Sequence, residues 1–235
     1  MTADQFIEEL SKFKSEDELG KAERFFKGND GKTVSFGVRF GDVFALAKQF
    51  KNMSLAEINK LLDSEYYEVR MGAASIMDFQ ARDKRVLQTH KKELYELYLN
   101  RHDRLNNWDF VDRAAYNVIG RYLEDKPRTV LYDLARSNNV WERRTAIVST
   151  YHFIKAGDVE ETFKIAEILI HDEHELINKA VGSWIREAGK KDESKLRAFL
   201  DKHAATMPRV ALRYAAEKMD RDSRDYYMGL WKGQS

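Results

Sequence analysis

In the stretch Asn107-Trp108-Asp109-Phe110-Val111-Asp112, an indole and a carboxylate stand four residues apart. On a helix that spacing puts both on one face. An indole face attracts cationic groups, and a fixed carboxylate stabilises positive charge that develops during a reaction. About one repeat later, Val140-Trp141-Glu142-Arg143-Arg144 brings Arg144 onto the equivalent helix, to orient that carboxylate or to hold a phosphate. The set suits a substrate that is anionic along its backbone and cationic at its reacting centre, and alkylated DNA fits that description.

Each residue has a plainer reading as well. A tryptophan at helical spacing is usually core. Around Trp108, however, Asn106, Asn107 and Asp109 are polar and Asp112 shares its face, which favours a cleft. Asp112 as a repeat-linking carboxylate paired with Arg113 or Arg144, and Arg144 as a structural ion pair between repeats, are the alternatives. Trp141 reads more as packing than as chemistry.

Helices must carry these residues, and the periodicity supplies them. Apolar residues recur at helical spacing, as in Leu55, Ile58, Leu61 and Leu62, and no alternation points to a sheet. Pro127 and Pro208 stand where helices begin, and Gly28, Gly31, Gly37 and Gly41 mark a loop after an N-terminal helical segment. Similar segments recur around Ala74, Ala115, Ala146, Ala180 and Ala211, with separations of 41, 31, 34 and 31 residues. Such lengths belong to stacked helix pairs, in which a small residue lets two helices approach. The expectation is one all-α domain over 1–235. It has a helical segment and loop at 1–45, a repeat array at 46–219 and a tail at 220–235. The array is a HEAT-like solenoid, a curved α-α superhelix whose concave face accepts a rod-like ligand.

Composition narrows the chemistry. The chain is 43% hydrophobic and 34% charged, which describes a folded protein with a charged surface. With no cysteine, disulfides, thiolate metal sites and cysteine nucleophiles are excluded. The six histidines are scattered; His171, Asp172, Glu173 and His174 read as an exposed helix junction rather than a metal site. No phosphate-cradling or dinucleotide glycine pattern occurs. The acidic, amphipathic start lacks a signal peptide's order, which points to the cytoplasm. A net charge of +1 means that a DNA-binding surface must come from segregated charge. The second halves of the later repeats offer Arg143, Arg144, Lys179, Arg186, Lys190, Lys191, Arg209 and Arg213.

The motifs Trp108-Asp109-x-x-Asp112, Trp141-x-x-Arg144 and Lys179-Ala180-Val181-Gly182 with Arg186-Glu187 carry a resemblance, as does Phe36-Gly37-Val38-Arg39. Over roughly 25–219 the chain resembles the AlkD-like DNA alkylation repair family, glycosylases built from HEAT-like repeats. The resemblance implies base excision repair: a monofunctional glycosylase, working as a monomer on double-stranded DNA, that removes cationic N3- or N7-alkylated purines. Neither metal nor organic cofactor is called for, and the protein is cytoplasmic, nucleoid-associated when on DNA. Alkylation makes the purine a good leaving group, and the deoxyribose approaches an oxocarbenium ion as the bond breaks. Asp112 matches the catalytic carboxylate, Trp108 the cleft tryptophan and Arg144 the supporting arginine. Phe25, Trp141, Arg143, Lys179, Ser183, Arg186 and Arg209 fall where DNA contacts are expected. Ser183 is a departure, because the active glycosylases carry a second tryptophan directly after the glycine equivalent to Gly182. Trp184 comes one position later, about 100° around the helix. A noncatalytic protein that binds damaged or branched DNA is therefore the alternative, and a protein–protein scaffold the third reading.

Overall fold

The computed structural model describes residues 1–27 and 31–232, apart from the side chains at positions 20 and 22–25. Helical periodicity becomes helix throughout: the described residues contain no strand, only an isolated parallel bridge between Val34 and Tyr66. None of the described helices is long and apolar enough to cross a membrane. The chain divides into two compact units, Met1–Tyr122 and Leu123–Ser235.

The first unit contains α1 (Ala3–Ser11), α2 (Glu16–Phe25), α3 (Phe40–Gln49), α4 (Leu55–Leu62), α5 (Tyr67–Arg82), α6 (Gln88–Asn100) and α7 (Trp108–Ala115). A π-helical turn, Tyr116–Gly120, continues α7. The Thr2 hydroxyl and the Gln5 amide form a reciprocal capping box that starts α1. Fourteen of the 16 residues of α5 are buried, so this helix is the centre around which α3, α4 and α7 pack. Its apolar side chains surround it on all sides, which is why it lacks the one-sided pattern of a surface helix. Gly41 lies within α3 rather than in the preceding loop.

The second unit contains α8 (Thr129–Ala135), α9 (Val140–Ser149), α10 (Tyr151–Lys155), α11 (Glu160–Leu169), α12 (Glu175–Gly189), α13 (Glu193–His203), α14 (Arg209–Ala215) and α15 (Arg221–Leu230). Helix pairs α8–α9 and α11–α12 form, and α12 packs on both α9 and α14. Pro208 caps α14, while Pro127 stands just before Arg128, the cap of α8. Asp192 and Asp220 accept backbone N–H groups at the starts of α13 and α15. The five alanines that mark the repeat are all buried.

A close approach occurs at Gly182, where a Cβ would stand 2.3 Å from the Ala211 carbonyl oxygen and 2.7 Å from Tyr214 Cβ. Gly182→Ala is expected to push α12 from α14 at a cost of about 1–3 kcal/mol, lowering the thermal midpoint by several degrees. Gly229→Ala, where a Cβ meets nothing within 4 Å, should leave that midpoint unchanged or slightly raised. Equal midpoints for the two variants in a thermal melt would refute the close-packing account.

Candidate active site

The start of α7 is tied down from several directions. Before it, the Arg104 guanidinium donates to the carbonyls of Leu62 (2.8 Å) and Ser64 (2.6 Å). Arg70, fully buried on α5, donates to Asn106 Oδ1 at 3.0 Å. Asn107 is the N-cap residue of α7, yet its side chain makes no cap bond. Its Oδ1 accepts from Lys27 N at 2.8 Å, and its Nδ2 donates to Tyr67 Oη at 2.9 Å and to Asp109 Oδ1 at 2.7 Å.

The helix then presents Trp108, Asp112, Arg113 and, in the π-helical turn, Tyr116 as a half-buried face. Trp108 and Asp112 line one cavity of about 340 Å³, together with Phe40, Phe44, Met71, Asp109 and Arg113. The spacing of four thus brings indole and carboxylate to the same space. Phe40 and Phe44, whose ring centroids are 5.9 Å apart, add two aromatic faces from α3. Sequence reasoning missed them; the available signal was a phenylalanine pair four apart, which by itself reads as core.

Arg113 turns inward, to Asp78 on α5. Its Nη1 lies 2.8 Å from Asp78 Oδ2, and its Nε donates to Ser75 Oγ at 2.9 Å. Asn117 Nδ2 donates to Asp78 Oδ1 at 2.5 Å, and Arg82 Nη2 approaches Oδ2 at 3.0 Å. The Arg113 guanidinium also lies 4.9 Å from the Phe44 ring centroid and 5.1 Å from that of Phe79. Burial draws its pKa down, and the charge of Asp78 opposes that.

Asp109 differs from the sequence reading. In the sequence the polar Asn106, Asn107 and Asp109 favour a cleft around Trp108, but all three are buried. Asp109 Oδ2 accepts from the Tyr67 hydroxyl and Oδ1 from Phe110 N at 2.9 Å. The Tyr67 ring is in turn enclosed by Phe26, Phe40 and Phe110. Burial pushes Asp109 up to about 6, against the pull of its Tyr67 and Asn107 bonds, and pushes the Tyr67 hydroxyl well above the ordinary range.

The remaining candidates lie in the second unit, Phe25 excepted, whose side chain falls outside the described residues. Arg144 is 6% exposed, and its Nη1 donates to the Leu176 carbonyl at 2.8 Å. Trp141 is 7% exposed and meets the His174 ring edge-on. Arg143 grips Asp172 with two nitrogens and donates to the carbonyls of Ser137 and Asn138. The junction at 171–174 is therefore not simply exposed, because the Asp172 side chain is buried under that grip. Lys179 pairs with Glu175 at 2.7 Å, Arg186 with Glu187 and Glu217, and Arg209 lies over the Trp231 ring. Ser183 is half-buried. Its neighbour Trp184 packs on Tyr151 and donates to the Val148 carbonyl at 3.1 Å.

Three comparisons bear on this geometry. The sequence model of the family described as DNA alkylation repair enzyme matches residues 6–219, in agreement with the resemblance carried by the motifs. Among solved structures, the chain is similar to one described as a predicted DNA alkylation repair enzyme from Enterococcus faecalis. The TM-score is 0.70 at 15% identity, covering 88% of this chain and 97% of that one, so the likeness is one of fold. No curated protein matches the chain.

The raised Asp109 carboxyl has a measurable consequence. Its folded value of about 6 exceeds the 3.8 of an ordinary aspartate, so the folded state holds the proton more tightly. The associated stability is fully present below pH 4 and is lost as pH rises through about 6. Relative to Asp109→Asn, the native protein should lose on the order of 3 kcal/mol between pH 4 and pH 7. Urea unfolding at several pH values reads this difference; parallel profiles for the two proteins would contradict it.

Proposed function

Taking as premise that the chain belongs to the DNA alkylation repair enzyme family, we propose that it is a DNA glycosylase. It hydrolyses the N-glycosidic bond of cationic N3- or N7-alkylated purines in duplex DNA and acts as a monomer. The observation that carries this reading is the shared cavity of Trp108 and Asp112. A leaving purine that is already cationic needs no general acid, so the demand on the protein is to stabilise the oxocarbenium-like sugar and to position water. Asp112 meets both demands with one half-exposed carboxylate beside the aromatic faces of Phe40, Phe44 and Trp108. Trp108 offers its ring to the sugar or to the charged base. Arg144 is the anchoring guanidinium in this reading, and Trp141, already committed to packing, supports the helix that carries it.

Position 183 favours a second reading, a protein that binds damaged or branched DNA without excising a base. Trp184 is engaged with Tyr151 and the Val148 carbonyl, so it does not take the place of an aromatic ring at Ser183.

Single-turnover release of 7-methylguanine from a defined duplex separates the two. The glycosylase reading expects free base from the native protein and a rate lower by about 100-fold or more with Asp112→Asn. Trp108→Ala should slow release by about 2- to 30-fold, the worth of one cation–π contact. No release by the native protein, with salt-sensitive duplex binding retained, would establish the second reading instead.

A further inference from the structure

The charged groups lining the Trp108 cavity are not all acidic. Arg113 follows Asp112 directly, and its guanidinium forms part of the same wall. It is held by geometry on three sides: by the Asp78 carboxylate, by the Ser75 hydroxyl, and between the rings of Phe44 and Phe79. Asp78 is 1% exposed and is itself fixed by Asn117, which the π-helical turn delivers one turn beyond Arg113. The bonds that Arg113 makes among the described residues run through Nε and Nη1, which leaves the two N–H groups of Nη2 for a ligand. A guanidinium so restrained loses little entropy on binding an oxyanion, and its planar fork suits the oxygens of a phosphodiester.

We propose that Arg113 is a phosphodiester-binding residue of this cavity, held ready by Asp78, and that it takes a phosphate next to the deoxyribose that Asp112 faces. The inference rests on the glycosylase reading for its substrate but on separate residues for its geometry.

The test uses the full-length protein and a duplex carrying a stable tetrahydrofuran abasic-site analogue, with each flanking phosphate replaced in turn by a neutral methylphosphonate. Native protein, Arg113→Gln and Arg113→Lys are titrated by fluorescence anisotropy over a range of KCl. Arg113→Lys guards against loss of the fold, because its ammonium can still pair with Asp78 but lacks the planar fork that serves Asp78 and a phosphate at once. The expected result is one methylphosphonate position that weakens native binding about tenfold and has no effect in either variant. The slope of log affinity against log salt should also fall by about 0.9 in both. A merely structural arginine would weaken binding to every duplex equally. Equal sensitivity to every methylphosphonate in native and Arg113→Lys proteins, or absence of salt-dependent binding by the native protein, overturns the proposal. Loss of the glycosylase reading is seen separately: binding with the expected phosphate coupling but no release of 7-methylguanine keeps the phosphate site and discards the excision.

Discussion

Five polar side chains are buried along α5, and the bonds and ion pairs they make organise the first unit. The Glu68 carboxylate accepts from Phe36 N at 2.6 Å, Gly37 N at 3.0 Å and Ser35 Oγ at 2.8 Å, which folds the segment before α3 against the helix. Arg70 reaches Thr33 and Asn106, tying that segment and the approach to α7 to one guanidinium. Asp78, with Ser75 beside it, binds Arg113 and Asn117, and Gln80 donates to the carbonyls of Lys51 and Met53 between α3 and α4. Hydrophobic burial alone would let neighbouring segments slide along an apolar cylinder. These directional bonds fix where each one stops, because an unmet partner inside the core costs about 1–3 kcal/mol. The cavity wall, drawn from α3, α5 and α7, inherits its shape from them.

The same bonds explain what was legible in the sequence. Trp108 and Asp112 are four apart on one helix, so local geometry was enough to bring them together. The Phe36-Gly37-Val38 motif was visible, but its reason lay about 30 residues away in the Glu68 carboxylate. Gly37 has φ of +80°, a backbone conformation that residues with a side chain rarely adopt, so glycine is favoured there. Phe40, Phe44 and Met71 could not be placed at the cavity, since nothing local says which face of α3 or α5 meets α7. Asn107 and Asp109 were misread for the opposite reason. Polar residues next to a tryptophan look like surface, yet here they form an internal network whose partner, Tyr67, lies 40 and 42 residues away. The five alanines spaced along the sequence are all buried in helices.

Charge in the second unit follows a comparable logic. With a net charge of +1, cations cannot simply accumulate. Arg143, Lys179, Arg186 and Lys190 each have an acidic partner within 4 Å, and Arg144 donates to a backbone carbonyl. The bonds differ in accessibility, and that sorts the residues. Arg143 holds a buried Asp172 and two carbonyls, so releasing it for a phosphate would expose several unmet acceptors. Lys179 and Lys190 pair on the helix surface with residues three or four positions away, where such pairs are worth a few tenths of a kcal/mol. A phosphate can displace those acids at little cost. Basic residues that looked equivalent in the sequence therefore divide into fixed struts and exchangeable contacts.

The departure at position 183 can be weighed on the same physical terms. Helix α12 is pinned in rotation from two directions: Gly182 lies against the α14 backbone, and Trp184 donates to the Val148 carbonyl while packing on Tyr151. Turning the helix far enough to bring Trp184 to the position of Ser183 would break both contacts, so no rotation restores an aromatic ring there. The cavity around Asp112 is built without α12. Phe40, Phe44 and Trp108 line it from α3 and α7, among the described residues of the first unit. Three aromatic faces beside the carboxylate are thus present whatever stands at 183. In the proposed chemistry the decisive requirement is a negative charge held close to the sugar in a medium that screens it weakly. Stacking from a second ring would add affinity for the charged base, whereas the stabilisation of the sugar cation rests on Asp112 and the walls that hold it.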